Sequence, residues 1–92
     1  MTWSVEWDER ARKELRKLDQ QSQREILRYM RDRIATDEDP RRFGKQLAGD
    51  KQGLWRYRMA SYRMVCHIED NVLTMLVLRV GHRSAVYDKP IT

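Results

Sequence analysis

The chain has 92 residues and one cysteine, enough for a single domain with one modest core but not for an internal disulfide framework. It has no apolar run of membrane-spanning length and no signal-peptide pattern, so we expect a cytoplasmic protein without a membrane partner. The net charge is +5, and residues 41–92 hold ten Lys/Arg against four Asp/Glu. This basic half predicts a polyanionic ligand, with nucleic acid as the default and an acidic protein as the alternative.

The first half of the chain predicts a strand followed by two helices. Trp3–Trp7 alternates apolar and polar residues, as a strand does, and Asp8 is placed to cap the helix that follows. Residues 19–22 break the pattern, and a second helix runs to about Ala35 before a loop over 36–40. The inner stripes of the two helices are Ala11, Leu15 and Leu18, and Ile26, Leu27, Met30 and Ile34.

Residues 54–68 predict the β-hairpin around which the rest of the chain is organised. A two-residue loop at Ala60–Ser61 places Arg58 directly opposite Arg63. Like charges opposite each other destabilise a sheet, so this arrangement predicts an anion ligand, with a solvated basic face as the alternative. The side chains on this arginine face are Arg56, Arg58, Arg63 and His67.

Residues 72–80 predict the most hydrophobic strand, and its apolar residues on both faces indicate a central position in the sheet. Leu73, Met75 and Val77 should face the core, and Leu76 and Leu78 the arginine face. Cys66 alternates onto the core side of its own strand, so we expect a buried, inert thiol. Cys66, His67 and His82 do not have the spacing of a zinc site, and we expect neither a metal nor a cofactor.

The predicted fold class is α+β. An N-terminal strand, a helical hairpin and a three-stranded antiparallel meander form one small, mainly antiparallel sheet with the helices on one face. We expect one domain over residues 1–92, with the arginine face open on the side away from the helices. The candidate RNA contacts outside the arginine cluster are Lys45, Lys51 and Arg79.

Several stretches taken together resemble the RelE/ParE superfamily of bacterial toxins, in the family's order and over nearly the whole chain. They are residues 8–18, 45–49, 54–58, 62–65, and 80–83 with 86–87. The resemblance implies a RelE-like fold and a toxin held inactive by a cognate antitoxin. RelE-type members are ribosome-dependent endoribonucleases that cleave mRNA in the decoding site without a metal, whereas ParE-type members poison DNA gyrase and cut no RNA.

The resemblance also assigns roles to individual residues. Arg56 and Arg58 fall on the two basic positions of the family's second strand, and Arg63 falls on the arginine that grips the phosphate. Arg83 would protonate or neutralise the leaving oxygen, and Tyr87 would stack on a substrate base. Every expected position therefore holds a basic or aromatic side chain.

One departure concerns the general base, since the best-known RelE toxins have lysines where this chain has Arg56 and Arg58. Arginine stays protonated in proteins and is a poor proton acceptor. Either Arg58 only stabilises charge or another group takes the 2′ proton. His82 is the first candidate for that role and His67 the second, because an imidazole titrates near neutral pH.

The leading hypothesis is therefore a RelE-type mRNA interferase whose partners are the ribosome, mRNA and a small RelB-like antitoxin. The antitoxin should carry an acidic amphipathic segment that covers the arginine face together with Leu76 and Leu78. The alternatives are a ParE-like gyrase inhibitor and an inactive basic module that only binds an antitoxin. We also expect Arg63 to be a surface residue whose removal leaves the fold intact.

Overall fold

The computed structural model describes residues 2–47 and 53–82. Within these ranges the strands are β1 (Ser4–Trp7), β2 (Lys45–Gln46), β3 (Leu54–Met59), β4 (Tyr62–Glu69) and β5 (Thr74–His82), and the α-helices are α1 (Glu9–Arg16) and α2 (Gln20–Tyr29). A π-helical turn at Met30–Ile34 extends α2, and 3₁₀ turns cover Pro40–Phe43 and Asp70–Val72. None of the described helices is long and apolar enough to cross a membrane.

The five strands form one sheet in the order β1-β5-β4-β3-β2. β1 runs parallel to β5, and the other neighbouring pairs are antiparallel. The predicted α+β class, the mainly antiparallel sheet and the central position of β5 are confirmed. The two-residue strand β2 was not predicted, because two residues are too few to show a periodicity in sequence.

Both helices begin at an aspartate that accepts a backbone hydrogen bond. Asp8 accepts from the Arg10 N–H at 3.2 Å, as predicted, and Asp19 accepts from the Ser22 N–H at 3.1 Å. The second helical segment ends at Ile34, close to the predicted Ala35. The prediction that Leu27 belongs to its inner stripe is wrong, since Leu27 is 46% exposed. The buried stripe instead follows a spacing of four residues, through Ser22, Ile26, Met30 and Ile34.

The core lies between the helices and one face of the sheet. Its helical residues include Ala11, Ile26 and Met30, and its sheet residues are centred on β4 and β5. The sheet residues with no exposed surface are Tyr57, Met64, Cys66, Met75 and Val77. The predicted inward orientation of Met75, Val77 and Cys66 is confirmed, and the opposite face of the hairpin carries the arginines.

A β-bulge interrupts the pairing of β4 with β5 and changes which residues of β5 face the core. Cys66 pairs with Val77 and Val65 pairs with Arg79, so Leu78 is an extra residue on β5. After the bulge the alternation is shifted by one position. Val80 consequently faces the core, where it is 1% exposed.

Candidate functional site

The hairpin of β3 and β4 brings two arginines side by side on the arginine face. Arg58 pairs with Arg63 across the strands, and the loop between them is Ala60–Ser61, as predicted. Ala60 takes the left-handed conformation with φ 54°. A positive φ is uncommon for a residue with a side chain, so other contacts must hold this turn in place.

Arg63 is that contact, and it is a buried residue, contrary to the prediction of a surface arginine. It is 6% exposed, and its Nη1 donates to the carbonyl oxygens of Ala60 at 3.1 Å and Tyr62 at 2.9 Å. The side chain folds back over the turn, which is why its strand position did not predict its exposure. Its Nε is also buried, and no atom of residues 2–47 and 53–82 is its hydrogen-bond partner.

The charge of Arg63 has no counter-ion among residues 2–47 and 53–82, since none of the carboxylates there lies within ion-pair distance of it. Burying a charge without pairing is costly, and buried cations in proteins are usually neutralised by a partner. Its cross-strand neighbour Arg58 is exposed and adds positive charge. The pair therefore forms an electropositive position suited to an anion.

Next to this pair lies a small cavity of about 120 Å³, which we call the cation pocket, lined by Phe43, Lys45, Arg56 and Arg58. Lys45 of β2 pairs with Arg56 of β3, so a second pair of like charges faces across neighbouring strands. Lys45, Arg56 and Arg58 are thus brought together as candidate phosphate contacts. Phe43 was not singled out from the sequence, although the only phenylalanine of the chain stands within the basic segment 41–45.

Tyr57 holds the two sides of the cation pocket together from the core side of the sheet. It is fully buried, and its hydroxyl donates to the carbonyl oxygen of Pro40 at 2.8 Å. Burial raises the pKa of the Tyr57 phenol, which therefore stays a protonated donor. Gly44 packs against the same ring, where a Cβ would lie 2.8 Å from Cζ of Tyr57. Only glycine fits there without moving the strand.

His82 does not lie on the arginine face, which corrects its predicted place beside the arginines. The bulge at Leu78 shifts the alternation, so His82 pairs with Tyr62 and shares the helix-side face with it. The two rings meet edge to face with centroids 6.2 Å apart. Gly81, which has no side chain, takes the position opposite Arg63.

His67 lies on the arginine face but at its far end. It stands four residues from Arg63 on β4, or about 13 Å along an extended strand. Its Nε2 is 4.0 Å from Oε1 of Glu69. Neither histidine is therefore placed to exchange a proton at the Arg58–Arg63 pair.

Arg79, a predicted RNA contact, is buried in an ion pair with Glu14 of α1. Its Nε lies 3.1 Å from Oε1 and its Nη2 lies 2.8 Å from Oε2, and its side chain is 3% exposed. Glu14 also accepts the backbone N–H of Val80 at 3.1 Å. Arg79 thus stabilises the packing of α1 on β5 and is not placed to contact RNA.

The single thiol does not add a reactive group to this face. Cys66 is fully buried, as predicted, and burial raises the pKa of its thiol. Within residues 2–47 and 53–82, no three His, Cys, Asp or Glu side chains group as metal ligands do. The described part of the site consists of cations and one aromatic ring.

The chain matches a family model described as the ParE toxin of the type II toxin–antitoxin system parDE, over residues 5–87. The chain belongs to this toxin family. Its match to toxin RelG of Mycobacterium tuberculosis is 29% identical over 87 residues, covering 95% of this chain and 98% of RelG. The predicted membership of the RelE/ParE superfamily is confirmed.

Solved structures of RelE toxins share the fold of this family member. In the RelBE2 toxin–antitoxin complex of M. tuberculosis, one chain is 28% identical with a TM-score of 0.82, and the match covers 90% of this chain and all 100% of that one. A double arginine-to-alanine mutant of E. coli RelE in the free state is 28% identical with a TM-score of 0.73, covering 96% of this chain and 93% of RelE. The chain is therefore a toxin of a type II toxin–antitoxin system with the RelE fold.

Three predicted site residues of this toxin, Lys51, Arg83 and Tyr87, lie outside the described residues. Their assignment stays a prediction from the resemblance. In the described part of the site, Arg58 lies beside Arg63, and Lys45 lines the cation pocket with Arg56 and Arg58. It places His82, His67 and Arg79 elsewhere.

Proposed function

We propose that this toxin is a ribosome-dependent endoribonuclease that inhibits translation by cleaving mRNA in the decoding site. The observation that carries the proposal is the buried guanidinium of Arg63, which has no carboxylate partner among the described residues and lies beside Arg58. A phosphodiester is an anion that guanidinium groups recognise through charge-assisted hydrogen bonds. A phosphate at this position would supply a counter-charge that the described residues do not.

In the proposed reaction the ribose 2′-oxygen attacks the adjacent phosphorus, the 2′-O–P bond forms, and the P–O5′ bond breaks. The 2′ proton passes to a base, and the departing 5′-oxygen receives a proton. The family resemblance assigns the donation of this second proton to Arg83. The phosphorane carries more negative charge than the ground state. A cation that is fixed before the reaction, as Arg63 is by its two hydrogen bonds, therefore stabilises the transition state more than the substrate.

For the proton acceptor we propose Lys45. His82 lies on the helix-side face, and His67 is about 13 Å along the strand from Arg63. Arg56 and Arg58 stay protonated, whereas a lysine amine in its neutral form accepts a proton. Lys45 of β2 lines the cation pocket with both arginines. It therefore places a lysine amine beside the β3 positions where this chain has arginines.

A cognate antitoxin is the proposed partner that keeps the toxin silent. The solved relatives include the RelBE2 complex of M. tuberculosis and a mutant E. coli RelE bound to an antitoxin RelBc peptide, 26% identical to this chain. Arg58 and Lys45 are exposed, and Leu76 is half-buried opposite His67. An acidic amphipathic segment, RelB-like in kind, matches this mixture of charge and apolar surface. We place both proteins in the cytoplasm, where ribosomes are.

The alternative function is inhibition of DNA gyrase without RNA cleavage, and the observation that favours it is the ParE description of the matching family model. A gyrase inhibitor acting by protein contact needs no pair of arginines that binds a phosphate. The arrangement of Arg58 and Arg63 favours the nuclease for this reason.

The deciding experiment incubates the purified toxin with ribosomes programmed with a defined mRNA and, separately, with gyrase and relaxed plasmid. Primer extension should find codon-phased cuts that require the ribosome, while supercoiling proceeds normally. Intact mRNA together with blocked supercoiling would replace the nuclease proposal with the gyrase alternative. Arg28→Ala is the matched charge control for variants of the arginine face. It removes one positive charge from an exposed position on α2, away from that face.

A further inference from the structure

Phe43 is the aromatic residue that lines the cation pocket, together with the three cations Lys45, Arg56 and Arg58. The ring is half-buried and packs only partly against the core. Part of its surface therefore contributes to the pocket. An aromatic ring beside several phosphate-binding cations is the combination with which proteins hold single-stranded nucleic acid.

The position of the ring is fixed by the turn that carries it. The 3₁₀ turn Pro40–Phe43 is attached to Tyr57 at both ends, by the 2.8 Å hydrogen bond to the Pro40 carbonyl and by the close packing of Gly44. Tyr57 stands between Arg56 and Arg58 on β3. One buried side chain thus fixes the aromatic residue relative to the cationic residues, and a ligand does not have to order the pocket first.

Two further arginines lie against the Phe43 ring. The guanidinium carbon of Arg42 is 4.4 Å from the ring centroid, and that of Arg33 is 5.3 Å away. These cation–π contacts raise the positive potential around the ring. Guanidinium planes also stack on nucleobases, so the whole group is compatible with a base and its phosphate.

We propose that Phe43 and the cation pocket form a base-binding subsite for the nucleotide next to the scissile phosphate. This inference rests on the proposed RNA cleavage for the identity of the ligand. The backbone of that nucleotide contacts Arg56, the lining cation that the proposed reaction does not use, and its base packs on Phe43. A phenyl face has no hydrogen-bonding groups, so the subsite adds affinity for any base and does not select the sequence.

The test compares Phe43→Leu, which keeps an apolar side chain of similar packing, with Phe43→Trp, which keeps an aromatic face. The probe is a fluorescein-labelled single-stranded RNA hexamer, together with the same hexamer built from abasic ribose phosphates. By fluorescence anisotropy, Phe43→Leu should lose about 5- to 100-fold in affinity for the hexamer. Phe43→Trp should bind as the wild type does, and thermal melting checks that both variants fold.

The abasic hexamer separates stacking from charge. The wild type should bind it more weakly than the normal hexamer, whereas Phe43→Leu should bind both alike, because its cations are intact. On programmed ribosomes the same loss should appear in kcat/KM. A wild type that does not prefer the normal hexamer, or Phe43→Leu with wild-type affinity, overturns the subsite.

The outcomes also separate this subsite from the nuclease proposal. If RNA binds through Phe43 but stays uncut on ribosomes, the subsite proposal is retained and the nuclease proposal is rejected. If Phe43→Leu cleaves mRNA on ribosomes at the wild-type rate and binds the hexamer with wild-type affinity, the nuclease proposal is retained and the subsite proposal is rejected.

Discussion

At the scale of single residues, Arg63 combines a structural and a proposed chemical role. Its two hydrogen bonds to the carbonyls of Ala60 and Tyr62 hold a turn with a left-handed alanine. Its charge is buried beside Arg58 without a carboxylate partner in the described parts of the chain. The sequence located Arg63 on the correct face of the hairpin, but burial depends on how a long side chain folds back, which alternation does not encode.

The first prediction is that Arg63→Ala loses activity far more than stability. We expect destabilisation by about 1 kcal/mol, because two hydrogen bonds are lost while repulsion with Arg58 is relieved. The cleavage rate should fall about 10²- to 10³-fold. Arg63→Lys should recover part of the rate, since an ammonium keeps the charge without the planar fork. Single-turnover cleavage and thermal melts measure the two effects, and full activity in folded Arg63→Ala would remove Arg63 from the site.

The second prediction distinguishes proton transfer by Lys45 from simple charge. Lys45→Arg keeps a cation in the cation pocket, so RNA affinity should stay close to the wild-type value. The cleavage rate should nevertheless fall by about 10²-fold or more, because the guanidinium does not accept the 2′ proton. A wild-type rate in Lys45→Arg would show that Lys45 only binds phosphate.

At the scale of secondary structure, regular alternation was predictable and its interruption was not. The register of β3 with β4 follows from the apolar pattern and the two-residue loop, and the structure has it as predicted. The bulge at Leu78 was missed, and with it the face of His82. A residue outside β5 binds the strand just after the bulge, since Glu14 of α1 accepts hydrogen bonds from both Arg79 and the Val80 N–H. Such a contact between distant segments leaves no local periodic signal.

The third prediction concerns acid stability through the cap of α2. The hydrogen bonds from the Ser22 hydroxyl and N–H lower the pKa of Asp19 below its usual 3.8. The folded state therefore binds this proton less readily than the unfolded chain. The stabilising effect is complete above about pH 4 and is lost as the pH falls through the lowered folded pKa. Asp19→Asn keeps an acceptor without a titrating group, so its unfolding free energy should depend less on pH below 4.

Denaturant titrations of the two proteins between about pH 2 and 6 measure this difference. Asp37→Asn on the exposed surface is the control, since its carboxylate accepts a hydrogen bond from Thr2 and does not cap α2. Parallel pH curves for Asp19→Asn and the wild type would contradict the assigned role of the cap.

At the scale of the whole molecule, the acidic side chains neutralise the periphery and leave the arginine face positive. Asp39 and Asp70 pair with Arg41, and Glu38 pairs with Arg42. No such pair involves Arg58 or Arg63 among the described residues. The basic second half and the family were predictable from the sequence. The ion pair between Arg41 and Asp70 was not, because it joins two positions 29 residues apart whose proximity depends on the fold.

The fourth prediction is that cleavage does not require a metal ion of its own. The described site presents cations, which repel divalent metals, and among residues 2–47 and 53–82 no three His, Cys, Asp or Glu side chains group as metal ligands do. Cleavage should continue when a chelator is titrated to just below the level that dissociates ribosomes. Loss of cleavage on intact ribosomes, with recovery at a stoichiometric amount of one added metal, would show that a metal takes part.

The last prediction concerns the antitoxin and follows from the same charge distribution. If an acidic segment covers the arginine face, its affinity should fall as salt rises, because the Debye length shrinks from about 10 Å at 0.1 M to about 3 Å at 1 M. Arg58→Ala removes an exposed charge of this face and should both weaken binding and reduce the dependence on salt. Arg28→Ala removes an equal charge from α2 and should change neither. Calorimetric titrations with the antitoxin at several salt concentrations measure how the affinity of the wild type and of each variant depends on salt. An identical dependence on salt for all three proteins would place the antitoxin away from the arginine face.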